Sequence, residues 1–178
     1  MMKIATTFIL YLLFLPTASY AEFPETSIGI IDINRILSES KAAIDASKQI
    51  EKIATDIESE IKEGDEKIIK EQNLLIESQA IMAPDAFENK RLEYESKMQK
   101  YNNERQAKLM KIDELIATSR NDVLNALKPI LEDVSNEKGI TVLLEKASVM
   151  LNADKMDISD EVIKLLNKEL SSLEVLRN

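Results

Sequence analysis

The chain has 178 residues and a formal charge of −9 at neutral pH, and it contains neither cysteine nor histidine. Disulfides, thiolate or imidazole metal sites, Ser-His-Asp triads and Cys–His pairs are therefore excluded, and the acidic balance argues against a nucleic-acid partner. With four Phe, four Tyr and no Trp, a large aromatic core is not expected; one domain of long helices that self-associates is, because a long hairpin alone buries little surface per residue.

Met1 to Ala21 reads as a secretory leader. Lys3 supplies the basic start, Ile4 to Leu15 the apolar run, and Ser19-Tyr20-Ala21 a small-x-small cleavage site. The alternative, an uncleaved membrane anchor, calls for ~20 apolar residues, more than this run offers. Cleavage near Ala21 leaves residues 22–178 as a single exported domain, periplasmic in a bacterium. Ser27 to Ile33 has the composition of a strand, with Ile28 and Ile30 on one side and Gly29, Ile31 and Ile33 on the other, both sides at least partly buried. Asn34 is the expected N-cap of a short helix over 35–38. Whether that helix stops at Ser38-Glu39-Ser40 or runs on is left open.

From Lys41 to Lys138 there is one glycine, Gly64, and two prolines, Pro84 and Pro129. Ile50, Ile53, Ile57 and Ile61, then Leu109, Ile112, Leu115 and Ile116, then Val123, Leu127, Ile130, Leu131 and Val134 recur at helical spacing among charged residues. Two antiparallel helices are predicted, over 42–81 and 86–138, with a tip near Met82 to Asp85. Pro84 breaks the pattern, and Asp85 with Glu88 reads as a capping box that restarts it. Gly64 is either a tolerated weak point, costing up to ~1 kcal/mol relative to Ala, or a hinge. Pro129 should bend the second helix, and Gly139 after Lys138 should stop it. In the outer part the apolar stripe thins, and 41–111 holds 13 basic against 15 acidic residues, nearly balanced.

Ile140 to Leu144 and Val149 to Leu151 are predicted as the strands of a β-hairpin, near 140–145 and 149–152, around Glu145-Lys146-Ala147-Ser148. Ser159 is the expected N-cap of a closing helix to about Leu170, with Asp160 and Glu161 in its first turn. Val162, Ile163, Leu165, Leu166 and Leu170 form its apolar face. The long hairpin returns the chain to its start, so the run at 27–33 can join the two later strands in one small sheet. The expected class is α+β, mostly α.

Ile28-Gly-Ile-Ile-Asp-Ile-Asn-Arg-Ile-Leu37, Ile140-Thr-Val-Leu-Leu-Glu-Lys-Ala-Ser-Val-Met-Leu-Asn-Ala153, Asp157-Ile-Ser-Asp-Glu-Val162 and the tip Met82-Ala-Pro-Asp-Ala-Phe87 occur in this order around the charged hairpin. In that arrangement the chain resembles the Skp/OmpH family of periplasmic chaperones over essentially all of its mature length. The resemblance implies a homotrimer with a β body and three tentacle-like arms around a cavity. It implies an ATP-independent holdase, without cofactor, that cages unfolded outer-membrane proteins. Ile28, Ile30, Ile31, Ile33, Val142, Leu144, Val149 and Leu151 are then candidates for the trimer body. Ile57, Ile61, Ile68, Leu75, Met82, Phe87, Leu92 and Met98 are candidates for client contact, weighed for Ile57 to Leu75 against packing within the hairpin itself.

Two departures from the family pattern stand out. Its best-studied members have strongly basic arms, whereas this chain has a pI near 4.7, so membrane or lipopolysaccharide contact is left open and no residues are assigned to it. Lys41 stands where relatives often carry Pro. The competing reading is an exported trimeric coiled-coil structural or assembly protein without clients. An enzyme is not expected: there is no Gly-rich phosphate loop, and the carboxylates read as solvated helix faces.

Overall fold

The computed structural model describes residues 25–175; the expected leader, Met1–Ala21, lies outside them. Strand β1 (Ile28–Ile31) is followed by helices α1 (Ile33–Glu39), α2 (Lys41–Gln79) and α3 (Pro84–Lys138), strand β2 (Val142–Glu145) and helix α4 (Ser159–Glu169). Single 3₁₀ turns at Lys146–Ser148 and Asp154–Met156 link β2 to α4. As expected, the fold is mostly helical, with a small sheet and a long helical hairpin.

The caps explain where the helices begin and end. Asp32, rather than Asn34, caps α1: its Oδ1 accepts from the Arg35 amide at 2.9 Å, so Ile33 is helical and not part of the strand. Ser40 (φ −68°, ψ 145°) closes α1 and opens α2, its amide donating to the Ile36 carbonyl and its hydroxyl accepting from the Ala43 amide. The short helix therefore ends there. At the tip, Pro84 begins α3 instead of preceding it, in the first turn where its missing N–H has no partner to lose. Ala83 is the N-cap without a side-chain bond, and the expected Asp85–Glu88 capping box does not form; Glu88 pairs with Arg91 at 2.6 Å. Helix α3 continues through Pro129 and stops at Gly139, whose φ of 64° is the left-handed conformation that glycine adopts readily.

At ~1.5 Å per residue, the 39 residues of α2 and the 55 of α3 span ~58 and ~82 Å. The additional length of α3 lies at the base. There Val123, Leu127, Ile130 and Val134 are buried with Ile31, Ile36, Ile158, Val162 and Leu166 in the main core. Lys138 joins the last turn of α3 to Glu161 of α4 at 2.8 Å.

Strands β1 and β2 pair in parallel, with Ile28 opposite Val142 and Ile31 opposite Glu145. Parallel strands require a crossover, and here the crossover is α1 and the whole arm. The expected β-hairpin after β2 does not form. Residues 146–148 turn as 3₁₀, no strand includes Val149–Leu151, and Leu151 is 91% exposed. The other edge of β1 is taken by the segment preceding α4: Asp157 bridges Ile30, and the Ile158 amide donates to the Ile30 carbonyl at 2.9 Å. Only the outer edge of β2 is left for 149–151, and the turn at 146–148 leads the chain off it.

Ser159 does not cap α4; Ile158 holds that place. The fully buried Ser159 hydroxyl instead donates to Asp157 Oδ1 at 2.6 Å and accepts from the Asp32 amide at 2.9 Å, tying α4 to the start of α1. Asp157 also accepts from the Ser159 amide at 3.0 Å and from Lys146 Nζ at 2.7 Å. Burial pushes the Asp157 carboxyl up, but Lys146 and the two Ser159 donors outweigh it and hold it at about 2.

Gly64 has a packing role. A Cβ there would lie 2.3 Å from the Tyr101 ring, whose hydroxyl donates toward the Ile61 carbonyl at 2.8 Å and lies 2.7 Å from Asp65 Oδ1. The absent side chain lets α3 lock onto α2 at mid-arm.

Gly64→Ala should destabilise the chain despite Ala's better helix propensity, whereas in a Tyr101→Ala background the same change should stabilise by up to ~1 kcal/mol; urea unfolding of the four chains measures the cycle. The carboxyl of Asp157 lies below its ordinary value of 3.8 in the folded chain, so its stabilisation is complete above that value and is lost as pH falls toward about 2. The stability gap between wild type and Asp157→Asn should therefore be constant at neutral pH and shrink across that window.

Candidate binding surface

The arm is held by a seam that weakens outward. Near the base, Ile53, Ile57 and Leu115 are buried, with Ile50, Ile61 and Ile112 packed around them. Farther out, Tyr101 provides the polar lock described above, and near the tip the buried Ser78 hydroxyl donates to the Leu74 carbonyl at 2.6 Å and accepts from Lys90 Nζ at 2.8 Å. Between these points the helices are bridged by ions. Lys108 reaches Glu60 at 2.9 Å and Lys97 reaches Glu71 at 3.3 Å, Lys97 also pairing with Glu93 of its own helix at 3.1 Å.

Five basic groups of the arm, Arg91, Lys97, Lys100, Lys108 and Lys111, pair with its own carboxylates. Arg91 pairs with Glu88 and Glu95, and its guanidinium is held above its ordinary value by Glu88 and then Glu95. Lys97 is likewise raised, first by its bond to Glu93 and then by Glu71. Exposed pairs of this kind are each worth ~0–1 kcal/mol. With 13 basic against 15 acidic residues over 41–111, the arm is nearly charge-balanced and has no net positive charge to offer an acidic partner.

The expected contact residues fall into three groups. Ile57 is 3% exposed and belongs to the seam, so internal packing is its role in the structure. Ile61, Ile68, Leu75, Met82 and Phe87 are half-buried, and Leu92 and Met98 are exposed. Sequence reasoning missed Ile69, Leu74, Ile76 and Ile81, all exposed and all near the outer half of the arm. At ~100° per residue, Ile69 and Ile76 share one flank of α2, and Leu74 lies on the other flank. Ile81, 84% exposed, protrudes where α2 has already ended. A cue was available: isoleucines adjacent to seam positions, at 69 beside 68 and 76 beside 75, cannot all face the partner helix.

In the body, Ile30 and Ile31 are buried within the chain, and Ile33 is half-buried on α1. In the parallel register Ile28, Ile30, Val142 and Leu144 lie on one face of the sheet, and Gly29, Ile31 and Leu143 on the face toward the core. Ile28, Val142 and Leu144 are each more than a third exposed. Val149 is half-buried, and Met150 and Leu151 are fully exposed on the loop that follows. A single chain therefore leaves an apolar sheet face and an apolar loop uncovered.

Among the described residues, no cluster of three or more acidic side chains is arranged to hold a metal ion, and no helix is long and apolar enough to cross a membrane. A family model described as outer membrane protein (OmpH-like) matches residues 27–166. The crystal structure of a candidate outer membrane chaperone (OmpH-like) from Caulobacter crescentus superposes with a TM-score of 0.77 at 19% identity, over 90% of this chain and 95% of that one. At that identity the likeness is one of fold. No curated protein matches the chain.

Proposed function

The chain belongs to the OmpH-like family, and from that membership and the arm's surface we propose that it is an ATP-independent periplasmic holdase that cages unfolded outer-membrane proteins. The observation that carries the proposal is the outer arm, where Ile69, Leu74, Ile76, Ile81, Leu92 and Met98 stay exposed while neighbouring charges pair with one another. Exposed apolar residues dispersed over an extended, charge-compensated surface suit many weak contacts with a chain that has no fixed shape. Several arms acting together would hold a client through effective concentration, with no single tight site. Such holding is electrostatically undemanding and calls for neither a reaction nor a cofactor.

Caging requires more than one arm. The uncovered sheet face at Ile28, Val142 and Leu144 and the exposed Met150 and Leu151 support a trimer that buries these residues between protomers. Light scattering should give about three times the mature protomer mass; a stable monomer contradicts the cage. Leu144→Asp should leave the protomer helical but abolish assembly, whereas Ile30→Asp, which buries a charge inside the protomer, should unfold the body itself.

The holding activity is tested by diluting a denatured outer-membrane barrel protein into excess chain and following turbidity. Suppression is expected, and the triple variant Ile69→Ser, Ile76→Ser, Leu92→Ser should require several-fold more protein for the same effect without loss of helicity. Ile57→Ala should instead lower stability by about 2–5 kcal/mol, because it opens a cavity in the seam. Failure of the assembled wild-type chain to suppress aggregation would favour the client-free structural role.

A further inference from the structure

After α4 the chain turns back and runs along the base of α2 (Lys41–Gln79), making three main-chain contacts with two side chains of that helix. The Leu173 amide donates to Asp45 Oδ2 at 3.3 Å, the Leu173 carbonyl accepts from Gln49 Nε2 at 2.7 Å, and the Val175 amide donates to Gln49 Oε1 at 3.0 Å. In an extended chain, the N–H and C=O of one residue and the N–H two residues on point to the same side. Those are the three groups engaged here. The edge of a β-strand would meet them in the same way, but a helix surface does so with residues four apart, one turn above the other.

The receiving side is preorganised. Gln49 Nε2 also donates to Asp45 Oδ2 at 2.9 Å, which sets the amide so that its oxygen faces the Val175 N–H. The floor is apolar: Val175 packs on Ile53, Ile57 and Leu115, flanked by Ile61 and Ile112. Leu173 and Val175 add apolar packing, Leu173 against the main core and Val175 on this floor, while every hydrogen bond made to Asp45 and Gln49 engages main chain alone.

We infer that Asp45 and Gln49 form a reader of extended polypeptide main chain, which residues 173–175 occupy as a self-ligand and which an extended apolar segment of an unfolded protein takes by displacing them. The inference deepens the client-holding reading and rests on it for the partner's identity. Recognition through the main chain is indifferent to sequence, as the holding of many different unfolded chains requires. The tethered segment competes at a high effective concentration, so the base of the arm stays covered until a client engages it.

The reader is tested by unseating its occupant without touching it. Leu173→Pro with Val175→Pro removes both donated N–H groups and leaves Asp45, Gln49 and the apolar floor intact. A fluorescent peptide of sequence 170–178, added to the full-length chain, should bind this variant at least ~10-fold more tightly than wild type. Adding Gln49→Ala to the variant should abolish that gain, as should placing the two prolines in the peptide. Equal binding to wild type and variant overturns the inference. Independently, Gln49→Ala alone should speed hydrogen exchange of the Val175 amide at least ~10-fold, and unchanged exchange overturns it as well. Neither readout needs aggregation to be suppressed. A chain that binds the peptide but fails the turbidity assay contradicts the holdase reading alone; one that suppresses aggregation without the gain contradicts the main-chain reader alone.

Discussion

The short parallel pairing of β1 with β2 is the constraint on which the rest of the molecule depends. Just before the paired strands Ser27 bonds Thr141, 114 residues away, and the chain must leave and return in the same place for β1 and β2 to meet. A stiff antiparallel hairpin achieves this, provided that its ends are sharply defined. Ser40 and Gly139 define them, one as a shared cap in extended conformation and the other in the left-handed conformation. The longer α3 then supplies Val123 to Val134 to the core beneath the sheet, and α4 closes it with Val162 and Leu166. Loop closure over so many residues is entropically unfavourable, and rigid helices reduce the number of conformations that must be given up.

From that base outward the character of the arm changes. Aliphatic packing at Ile53, Ile57 and Leu115 gives way to a tyrosine seated over a glycine, then to ion pairs and a buried serine near the tip. Burial of aliphatic groups is a stronger and less easily exchanged source of stability than exposed ion pairs. The gradient leaves the base firm and the outer half able to open locally. Ile69 and Ile76, on the flank beside seam positions 68 and 75, stay exposed along it. The absence of net positive charge on the arm directs the account of client capture to apolar contact and main-chain hydrogen bonding.

Much of this fold was legible in the sequence because it rests on local signals. The helical period in 41–138, the proline at the tip and the glycine after Lys138 locate the hairpin to within a few residues. What escaped depends on partners distant in the chain. Val149–Leu151 has the composition of a strand, but propensity does not reveal that Asp157 and Ile158 already hold the second edge of β1. Ser159 has the usual N-cap chemistry, yet its hydroxyl is drawn into bonds with Asp157 and the Asp32 amide, 127 residues away. Ile68 and Ile69 are equally apolar; which one faces the seam follows from the rotation of α2, fixed by contacts such as Tyr101 with Gly64. Asp45 and Gln49 look like ordinary solvated helix residues until the segment at 173–175 lies across them.

The central claim is that the uncovered apolar residues of the outer arm, and not the packed seam, touch the client. Photo-crosslinking tests it most directly, with a photoreactive phenylalanine derivative placed in turn at Ile76, Leu92 and Ile57 and the assembled protein loaded with an unfolded outer-membrane barrel protein. The account predicts adducts with the client from positions 76 and 92 and almost none from position 57. Adducts from position 57 equal to those from the outer positions, or no client adducts from 76 and 92 while the complex is intact, would contradict it.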